Sequence, residues 1–195
     1  MNRLRHLLPA GLAAGVLVAA TALAAPAATA AQAASGRATV VTALDYYSTG
    51  WTYLQVPPTT QVPGFAQRGF DDSAWPTGQA GFGTTNGTCP WNNQTNVKTP
   101  WAVDTDILVR HWLHLPRDAQ AVRIQGTVDN DAQVYFNGQL VQSVKSGKCA
   151  AGAIDVVVPA TYLDCCNLLA VRGHDAGVAA YLNLRVTYVK PTQAL

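Results

Sequence analysis

Residues 122–144 constrain the fold more than any other stretch of the sequence. Residues 132–136 alternate between the two faces of an expected strand, and Asn137-Gly138 follows them directly. This dipeptide readily takes positive φ at both central positions of a type I′ turn, whose twist matches that of two paired strands. The sequence therefore predicts a tight β-hairpin at Asn137-Gly138, and we expect this hairpin to be central to a β-sandwich.

Three side chains just before this hairpin can hydrogen-bond to their own backbone, namely those of Asp129, Asn130 and Asp131. Such residues favour turns at the point where one strand ends and the next begins. Their carboxylate and amide groups could equally hold a ligand. Two interpretations therefore stay open, a turn at a strand end or part of a binding site.

The composition indicates an all-β domain. All 11 acidic residues are Asp, and Lys is scarce, so the residues that usually fill helix surfaces are largely missing. β-Branched and aromatic residues are frequent, and turn signals separate about eight predicted strands at intervals of roughly ten residues. This spacing favours an antiparallel two-sheet sandwich over a parallel α/β fold.

Residues 1–33 follow the plan of a secretory signal peptide, with Arg3 and Arg5 before an apolar run and small-residue cleavage sites. We therefore expect a secreted, extracellular domain at residues 34–195, with no membrane segment after cleavage. Removing Arg3 and Arg5 from 13 Lys and Arg leaves 11, against 11 Asp. A nearly neutral domain is not expected to bind nucleic acid, which requires a concentrated positive surface.

Four cysteines lie in the expected mature domain: Cys89, Cys149, Cys165 and Cys166. In an exported chain they predict two disulfides. Of the three possible connectivities, the one that joins the neighbours Cys165 and Cys166 is geometrically awkward. If these neighbours do not pair, Cys89 and Cys149 each bond to one cysteine of the doublet. A zinc site is disfavoured because the chain has no CxxC pair.

Several segments, in this order, resemble a galactose-binding-domain-like jelly roll: GFDDSAW, GFG, TDILVRHWLHLP, VDNDAQVYFNGQLV, NLLAVRGHDAG and AAYLNLRVTYV. Similar domains are the sugar-binding β-sandwiches of family 2 glycoside hydrolases and the accessory domains of secreted bacterial proteins. The resemblance covers nearly all of residues 34–195 and implies a jelly-roll fold, in which DDSAW packs as a corner. It implies no catalytic centre, because this fold hosts both glycan binders and inert spacers.

Residues 84–103 form a loop too long for an ordinary connection, and such loops are often functional. Its tryptophans offer flat apolar faces to a pyranose ring, and its amides offer hydrogen bonds to hydroxyls. If the loop covers one end of the sandwich, it meets the polar groups of other turns there. The predicted glycan-binding residues are Trp91, Asn93, Trp101, Asp129, Asn130, His174 and Asp175. The alternative is that both tryptophans fill the core beneath the loop.

The histidines and aspartates form no recognisable catalytic motif. His111 and His114 are three residues apart on a predicted strand, so they face opposite sides and cannot converge on one ion. His174-Asp175 could form a histidine–carboxylate couple, but no nucleophile motif accompanies it. The one cofactor that the sequence suggests is a structural calcium ion, for which Asp129 and Asp131 offer ligands although no calcium-loop motif is present.

The sequence thus predicts a secreted, non-catalytic carbohydrate-binding module that contacts a polysaccharide or cell-surface glycan through loops at one end of the sandwich. One alternative is a structural or protein-interaction β-sandwich without a small ligand, which predicts a flat loop end and buried tryptophans. Another is a small extracellular glycan hydrolase, which requires two carboxyl groups across a cleft. Nothing in the sequence predicts an oligomeric state.

Overall fold

The computed structural model of the chain describes residues 38–191, so the predicted signal peptide lies outside the described residues. Within residues 38–191 the chain forms β-strands, one short 3-10 helix and no α-helix, and no helix there is long and apolar enough to cross a membrane. The strands are β1 (Thr39–Leu44), β2 (Trp51–Val56), β3 (Thr77–Gly78), β4 (Phe82–Gly83), β5 (Thr99–Pro100), β6 (Asp106–His114), β7 (Gln120–Asp129), β8 (Asp131–Phe136), β9 (Gln139–Lys145), β10 (Ala150–Val157), β11 (Cys166–His174) and β12 (Tyr181–Lys190).

Two six-stranded sheets make up the domain. Sheet A has the order β10-β7-β12-β4-β5, with β1 also paired to β12, and sheet B has the order β3-β2-β6-β11-β8-β9. Every pairing is antiparallel except that of β4 with β5. The predicted all-β, two-sheet sandwich is therefore confirmed. The described strands number twelve rather than about eight, partly because β3, β4 and β5 are only two residues long and carry no alternation.

The predicted hairpin at Asn137-Gly138 is present, but it is not central. Asn137 and Gly138 have φ values of 51° and 83°, and the flanking strands β8 and β9 pair across them. However, β9 is the edge strand of sheet B, and β7 and β8 belong to different sheets. Residues 129–131 therefore form the corner where the chain crosses from sheet A to sheet B, with a cis peptide between Asp129 and Asn130.

The inner faces of the two sheets enclose one continuous hydrophobic core. One face of β6 is part of it, because Ile107, Val109 and Leu113 are all buried there. His111 lies half-buried between Val109 and Leu113 on this face, with Nε2 3.1 Å from the Thr49 carbonyl oxygen, whereas His114 is exposed. The two histidines thus face opposite sides, as the strand period requires.

Residues 57–76 cross the outer face of sheet B and form a second, smaller core there. Phe65 packs with Leu108 on this face. The buried Arg110 lies beneath the segment, where its Nε donates to the Asp72 carboxylate over 2.8 Å and its Nη1 donates to the Phe65 carbonyl. The DDSAW sequence is part of this cover and packs Trp75 on the second core. This segment leaves one end of the outer face of sheet B uncovered, where a groove opens.

Candidate binding site

The loop at residues 84–103 folds over the end of the sandwich that carries the 129–131 corner. The Cys89 Sγ atom lies 2.9 Å from the Asp129 Oδ2 atom. The Asn92 side-chain amide donates to the Thr84 and Ala180 carbonyl oxygens, each over 2.9 Å. Cys89 is bonded to Cys149, and Asp129 and Asp175 are buried nearby. We refer to this disulfide and these two aspartates together as the disulfide cap.

The two loop tryptophans pack against the protein. Trp101 is only 1% exposed, and its indole Nε1 donates to the Thr105 hydroxyl over 3.0 Å. Its predicted role in stacking on a sugar is therefore wrong, because a pyranose needs an accessible ring face. Trp91 is partly exposed, and its ring lies 5.7 Å from that of Tyr181. Trp91 thus contributes at least part of its surface to holding the loop on β12.

Asn93 stabilises a turn within the loop. Its side-chain oxygen accepts hydrogen bonds from the Thr95 and Asn96 backbone N–H groups, both at 3.0 Å. Its side-chain nitrogen donates to the Pro90 carbonyl oxygen over 2.9 Å. The amide that the sequence assigns to sugar hydroxyls is therefore engaged by the loop backbone, as is common for Asn in turns.

The disulfide connectivity differs from the one expected when neighbouring cysteines do not pair. Cys89 bonds to Cys149, with their Cα atoms 5.7 Å apart, and Cys165 and Cys166 remain thiols. The reason is the direction of β11, a nine-residue strand that begins at Cys166 and ends at His174 beside the corner. At the usual rise per residue, the doublet lies about 26 Å along the strand from that end, out of reach of the cap.

Asp129 lies buried in the cap. It is 3% exposed, its Oδ1 accepts from the Asn130 amide over 3.1 Å, and no cationic side chain within residues 38–191 forms an ion pair with it. Burial, with a further contribution from the nearby Asp175 carboxylate, raises the pKa of Asp129 to about 6. A disulfide sulfur carries no hydrogen, so the contact to Cys89 is a hydrogen bond only when Asp129 is protonated and donates it.

Asp175 is fully buried and binds the backbone of the loop before β6. Its Oδ2 accepts from the Asp104 N–H over 2.8 Å, while its Oδ1 has no partner among the described residues. Burial raises the pKa of Asp175 as well. The predicted couple of His174 with Asp175 does not form, because successive residues of β11 and the turn that follows it face different sides. Asn130 also serves the corner, since its side-chain oxygen accepts from the Ala176 N–H over 2.9 Å.

The donors near Asp129 do not suit the suggested calcium ion. Among the described residues, the one group of metal-binding side chains that converges is Cys89, Asp129 and Cys149, and its two sulfurs are bonded to each other. Calcium takes six to eight oxygen ligands. The Asp131 carboxylate instead accepts from the Ser146 and Gly147 N–H groups, at 2.8 and 3.1 Å.

A groove of about 390 Å³ lies beside the cap, on the uncovered end of the outer face of sheet B. Its floor is a row of directly opposed residues across four strands, which share one face of the sheet. The row contains Asp106 of β6, His174 of β11, Asp131 of β8 and Lys145 of β9. The next row along the strands contributes Arg172, Gln133 and Ser143. Pro58 and Gln61 of the covering segment line one wall.

The buried Asp106 carboxylate organises this floor. One of its oxygens lies 2.5 Å from Arg172 Nε, and the other lies 2.6 Å from His174 Nδ1. Arg172 is held further by the Thr60 carbonyl oxygen, at 2.9 Å. The His174 side chain is 38% exposed, and its Nε2 has no hydrogen-bond partner among residues 38–191. The histidine–carboxylate couple thus exists, but with Asp106 as the carboxylate.

Four residues of the groove were not predicted from the sequence as site residues, namely Asp106, Gln133, Lys145 and Arg172. Each is a polar residue at an outward position of an alternating strand, close to the end of the strand that lies beside the corner. The alternation that places these residues outward is visible in the sequence. That they lie next to one another follows only from the strand order β6-β11-β8-β9. The groove therefore combines one predicted residue, His174, with others that only the topology brings together.

No family model matches the chain, and no curated protein matches it. Solved structures do share its fold. Bacteroides uniformis β-glucuronidase is 17% identical with a TM-score of 0.52, and the match covers 79% of this chain and 18% of that one. Bacteroides uniformis β-glucuronidase 2 bound to cyclophellitol-6-carboxylate aziridine is 18% identical, with a TM-score of 0.54 and the same coverage. A family 2 glycosyl hydrolase from Bacteroides cellulosilyticus is 13% identical with a TM-score of 0.49, covering 74% and 20%.

These similarities concern the fold alone. The resemblance is confirmed as a β-sandwich fold that also occurs in the two β-glucuronidase chains. The match spans only 18% of the length of those chains.

Proposed function

We propose that the chain is a secreted, non-catalytic carbohydrate-binding module and that it binds glycan in the groove beside the disulfide cap. The observation that carries this proposal is the row of polar side chains from four strands at the end of the sandwich where the loops meet. A concave site with convergent polar groups is the usual form of a small-molecule site. The fold shared with domains of β-glucuronidases supports a carbohydrate as the ligand.

The groove offers more hydrogen-bond donors than acceptors. The Asp106 carboxylate is occupied by Arg172 and His174, and Asp131 already accepts two backbone N–H groups. Lys145 forms no ion pair within 4.0 Å among the described residues, and its ammonium group has three protons to donate. A donor-rich groove suits glycans with carboxylate groups, so we expect acidic polysaccharides to bind better than neutral ones.

The carboxyl groups of the described residues argue against hydrolysis. A glycosidase needs a protonated acid and a second carboxylate facing each other across a cleft. Asp129 is the acid with a pKa raised to about 6, but it is buried against the disulfide instead of facing the groove. Asp106 lies under the groove floor with both oxygens engaged. The arrangement therefore favours binding over catalysis.

Calorimetric titration with acidic and neutral polysaccharides tests this proposal. We expect Lys145→Ala to weaken binding of an acidic glycan by roughly tenfold or more, because a hydrogen bond to a charged group contributes about 1.5–3 kcal/mol. Lys190→Ala is the matched control, since Lys190 is an exposed lysine on sheet A at the end of β12 away from Tyr181 and the cap. Trp91→Ala tests whether the loop at residues 84–103 contributes to binding, and we expect it to leave the affinity for the glycan unchanged.

Two results would reject the groove as the binding site: equal affinity of the wild type and Lys145→Ala, or loss of binding in Trp91→Ala alone. Failure of the wild type to bind any polysaccharide would favour the second candidate, a protein-interaction module. Trp112, which is 41% exposed on the outer face of β6, supports that candidate. An exposed tryptophan is typical of protein interfaces.

A further inference from the structure

Cys165 and Cys166 lie at the start of β11, at the end of that strand away from the groove. Their sulfur atoms are 3.6 Å apart, and the Cys165 side chain is exposed. All four cysteines of the chain lie in its described part, and the other two are bonded to each other. The doublet is therefore a pair of adjacent thiols for which the same chain offers no third thiol.

We propose that Cys165 and Cys166 are a redox-reactive dithiol, which closes into a vicinal disulfide by exchange with a small-molecule disulfide. One cysteine attacks a sulfur of that disulfide as its thiolate, forms a mixed disulfide and releases one small thiol. The second cysteine then attacks the cysteine sulfur of the mixed disulfide, which closes the ring and releases the second small thiol. The two cysteine protons end on the released thiols, and the small disulfide is reduced by the two electrons that the pair loses.

The distance to be closed is short. The sulfur atoms must approach from 3.6 Å to about 2.05 Å, the length of a disulfide bond. Cys165 lies before the first residue of β11, so it makes no ladder hydrogen bond that closure would break. Only Cys166 is paired, with His114 at the end of the ladder. The strain of an eight-membered ring thus falls on a loop and a strand end, and the sheet interior is not involved.

Hydrogen bonds hold the backbone next to the two cysteines. Asn167 is buried next to the doublet and binds the turn before it. Its side chain accepts from the Asp164 N–H over 2.8 Å and donates to the Asp164 carbonyl over 2.6 Å. The Asp164 carboxylate accepts from the Cys165 N–H over 2.7 Å and pairs with Arg68 at 2.6 Å. The backbone on both sides of the doublet is therefore fixed, and this keeps the two sulfur atoms together.

A depression of about 290 Å³ beside Cys165 provides access for the oxidant. Leu115 and Leu163 line it, and Arg117 adds a cation, which suits an anionic disulfide such as oxidised glutathione. The hydrogen bond of its thiol to Cys166 and the neighbouring Asp164 raise the pKa of Cys165. The attacking species is the thiolate, so we expect exchange to be slow at neutral pH and to accelerate as the pH rises.

Intact-mass measurement after alkylation of the denatured protein tests the proposal. The full chain, mildly reduced and then freed of reductant, is incubated with oxidised glutathione at mildly alkaline pH. We expect a monomer that has lost both alkylatable thiols, weighs less by two hydrogen atoms and carries no glutathione. Mild reduction should restore both thiols, while the Cys89–Cys149 peptide pair stays linked. Protein that is isolated with the ring already closed should open and close in the same way.

Single substitutions identify the ring-closing step. Cys165→Ser and Cys166→Ser each remove the second thiol, so each should retain a stable glutathione adduct on the remaining cysteine. Four outcomes would overturn the proposal: two thiols that stay free in the wild type, a persistent adduct in the wild type, disulfide-linked dimers, or exchange into the Cys89–Cys149 bond. The proposal is independent of glycan binding, which the same samples can report separately.

Discussion

The corner at residues 129–131 separates two regions that treat their carboxyl groups differently. In the disulfide cap, Asp129 and Asp175 are buried without a cation, and burial raises the pKa of both. In the groove, Asp106 is equally buried but lies between Arg172 and His174, at 2.5 and 2.6 Å. Burial therefore raises the carboxyl pKa in the cap, whereas the buried carboxylate of the groove is paired with an arginine and a histidine.

This difference explains why most of the predicted binding residues turned out to stabilise the protein itself. The Asn130 amide donates to Asp129, and its side-chain oxygen accepts from the Ala176 N–H. Asp175 accepts from the Asp104 N–H. These side chains therefore bond within the protein and have few groups left for a ligand.

In the groove, both oxygens of Asp106 and Oδ1 of Asp131 accept internal hydrogen bonds, while Lys145 forms no ion pair among the described residues. The proposed binding site therefore lies on the outer face of sheet B, whereas the loop over the end buries Trp101 and Asn92.

Removing the disulfide of the cap should have the largest effect on stability. Cys89→Ala/Cys149→Ala is expected to lower the free energy of unfolding by about 4 kcal/mol, because the bond closes a loop with a sequence separation of 60. Urea unfolding measures this loss, and Cys165→Ser/Cys166→Ser is the control with the same number of cysteines removed and no expected change. A loss of equal size in the control would mean that the effect does not come from the Cys89–Cys149 bond in particular.

The protonation of Asp129 should make the cap sensitive to pH. Its pKa of about 6 in the folded protein is above the ordinary value of 3.8, so the native state holds this proton more tightly than the unfolded chain. The resulting stability is fully present below about pH 4 and is lost as the pH rises through about 6, by up to about 3 kcal/mol.

Asp129→Asn is the variant that isolates this effect, because an amide keeps the shape and stays uncharged. We expect it to match the wild type near pH 4 and to be the more stable protein above pH 7 in urea unfolding. The raised pKa of Asp175 should leave a smaller slope of the same sign in the variant. A wild type whose stability rises over this pH interval would show that the Asp129 carboxylate is stabilised as an anion.

Local signals in the sequence account for the parts of the fold that were predicted. Asn137-Gly138 carries its turn chemistry in two adjacent residues, and the alternation on β6 identifies a face without knowledge of its partner. The two-residue strands have no such signal. The sequence left residues 129–131 open as a turn or part of a binding site. Their position between two sheets depends on the pairing of β7 with β10 and β12 and of β8 with β9 and β11.

The site was less predictable because its contacts join distant positions. His174 and Asp106 are 68 residues apart in sequence and meet only because β6 and β11 are neighbours. The sequence left Asp175 open as the carboxylate partner of His174, but its Oδ2 accepts from the Asp104 N–H instead. The cysteine pairing failed for the same reason, because proximity in sequence says nothing about which end of β11 lies beside the cap.

Within the groove, Asp106→Asn should cost about 2 kcal/mol of unfolding free energy, because hydrogen bonds to charged groups contribute about 1.5–3 kcal/mol. The variant leaves Arg172 without its carboxylate. Asp155→Asn is the matched control, since Asp155 also pairs with an arginine, Arg123, through two contacts of 2.5 Å, but at the surface. Exposed ion pairs add little stability. Equal losses in the two variants would show that burial does not distinguish these pairs.

The smallest expected effect lies at the boundary of the two regions. Asp131→Ala removes the acceptor for the Ser146 and Gly147 N–H groups and should cost about 1 kcal/mol, because water replaces part of what is lost. Asp131→Asn keeps a side-chain oxygen in the same place and should recover most of that stability in urea unfolding. If instead Asn is as harmful as Ala, the charge of Asp131 opposite Lys145 matters more than its hydrogen bonds to the turn between β9 and β10.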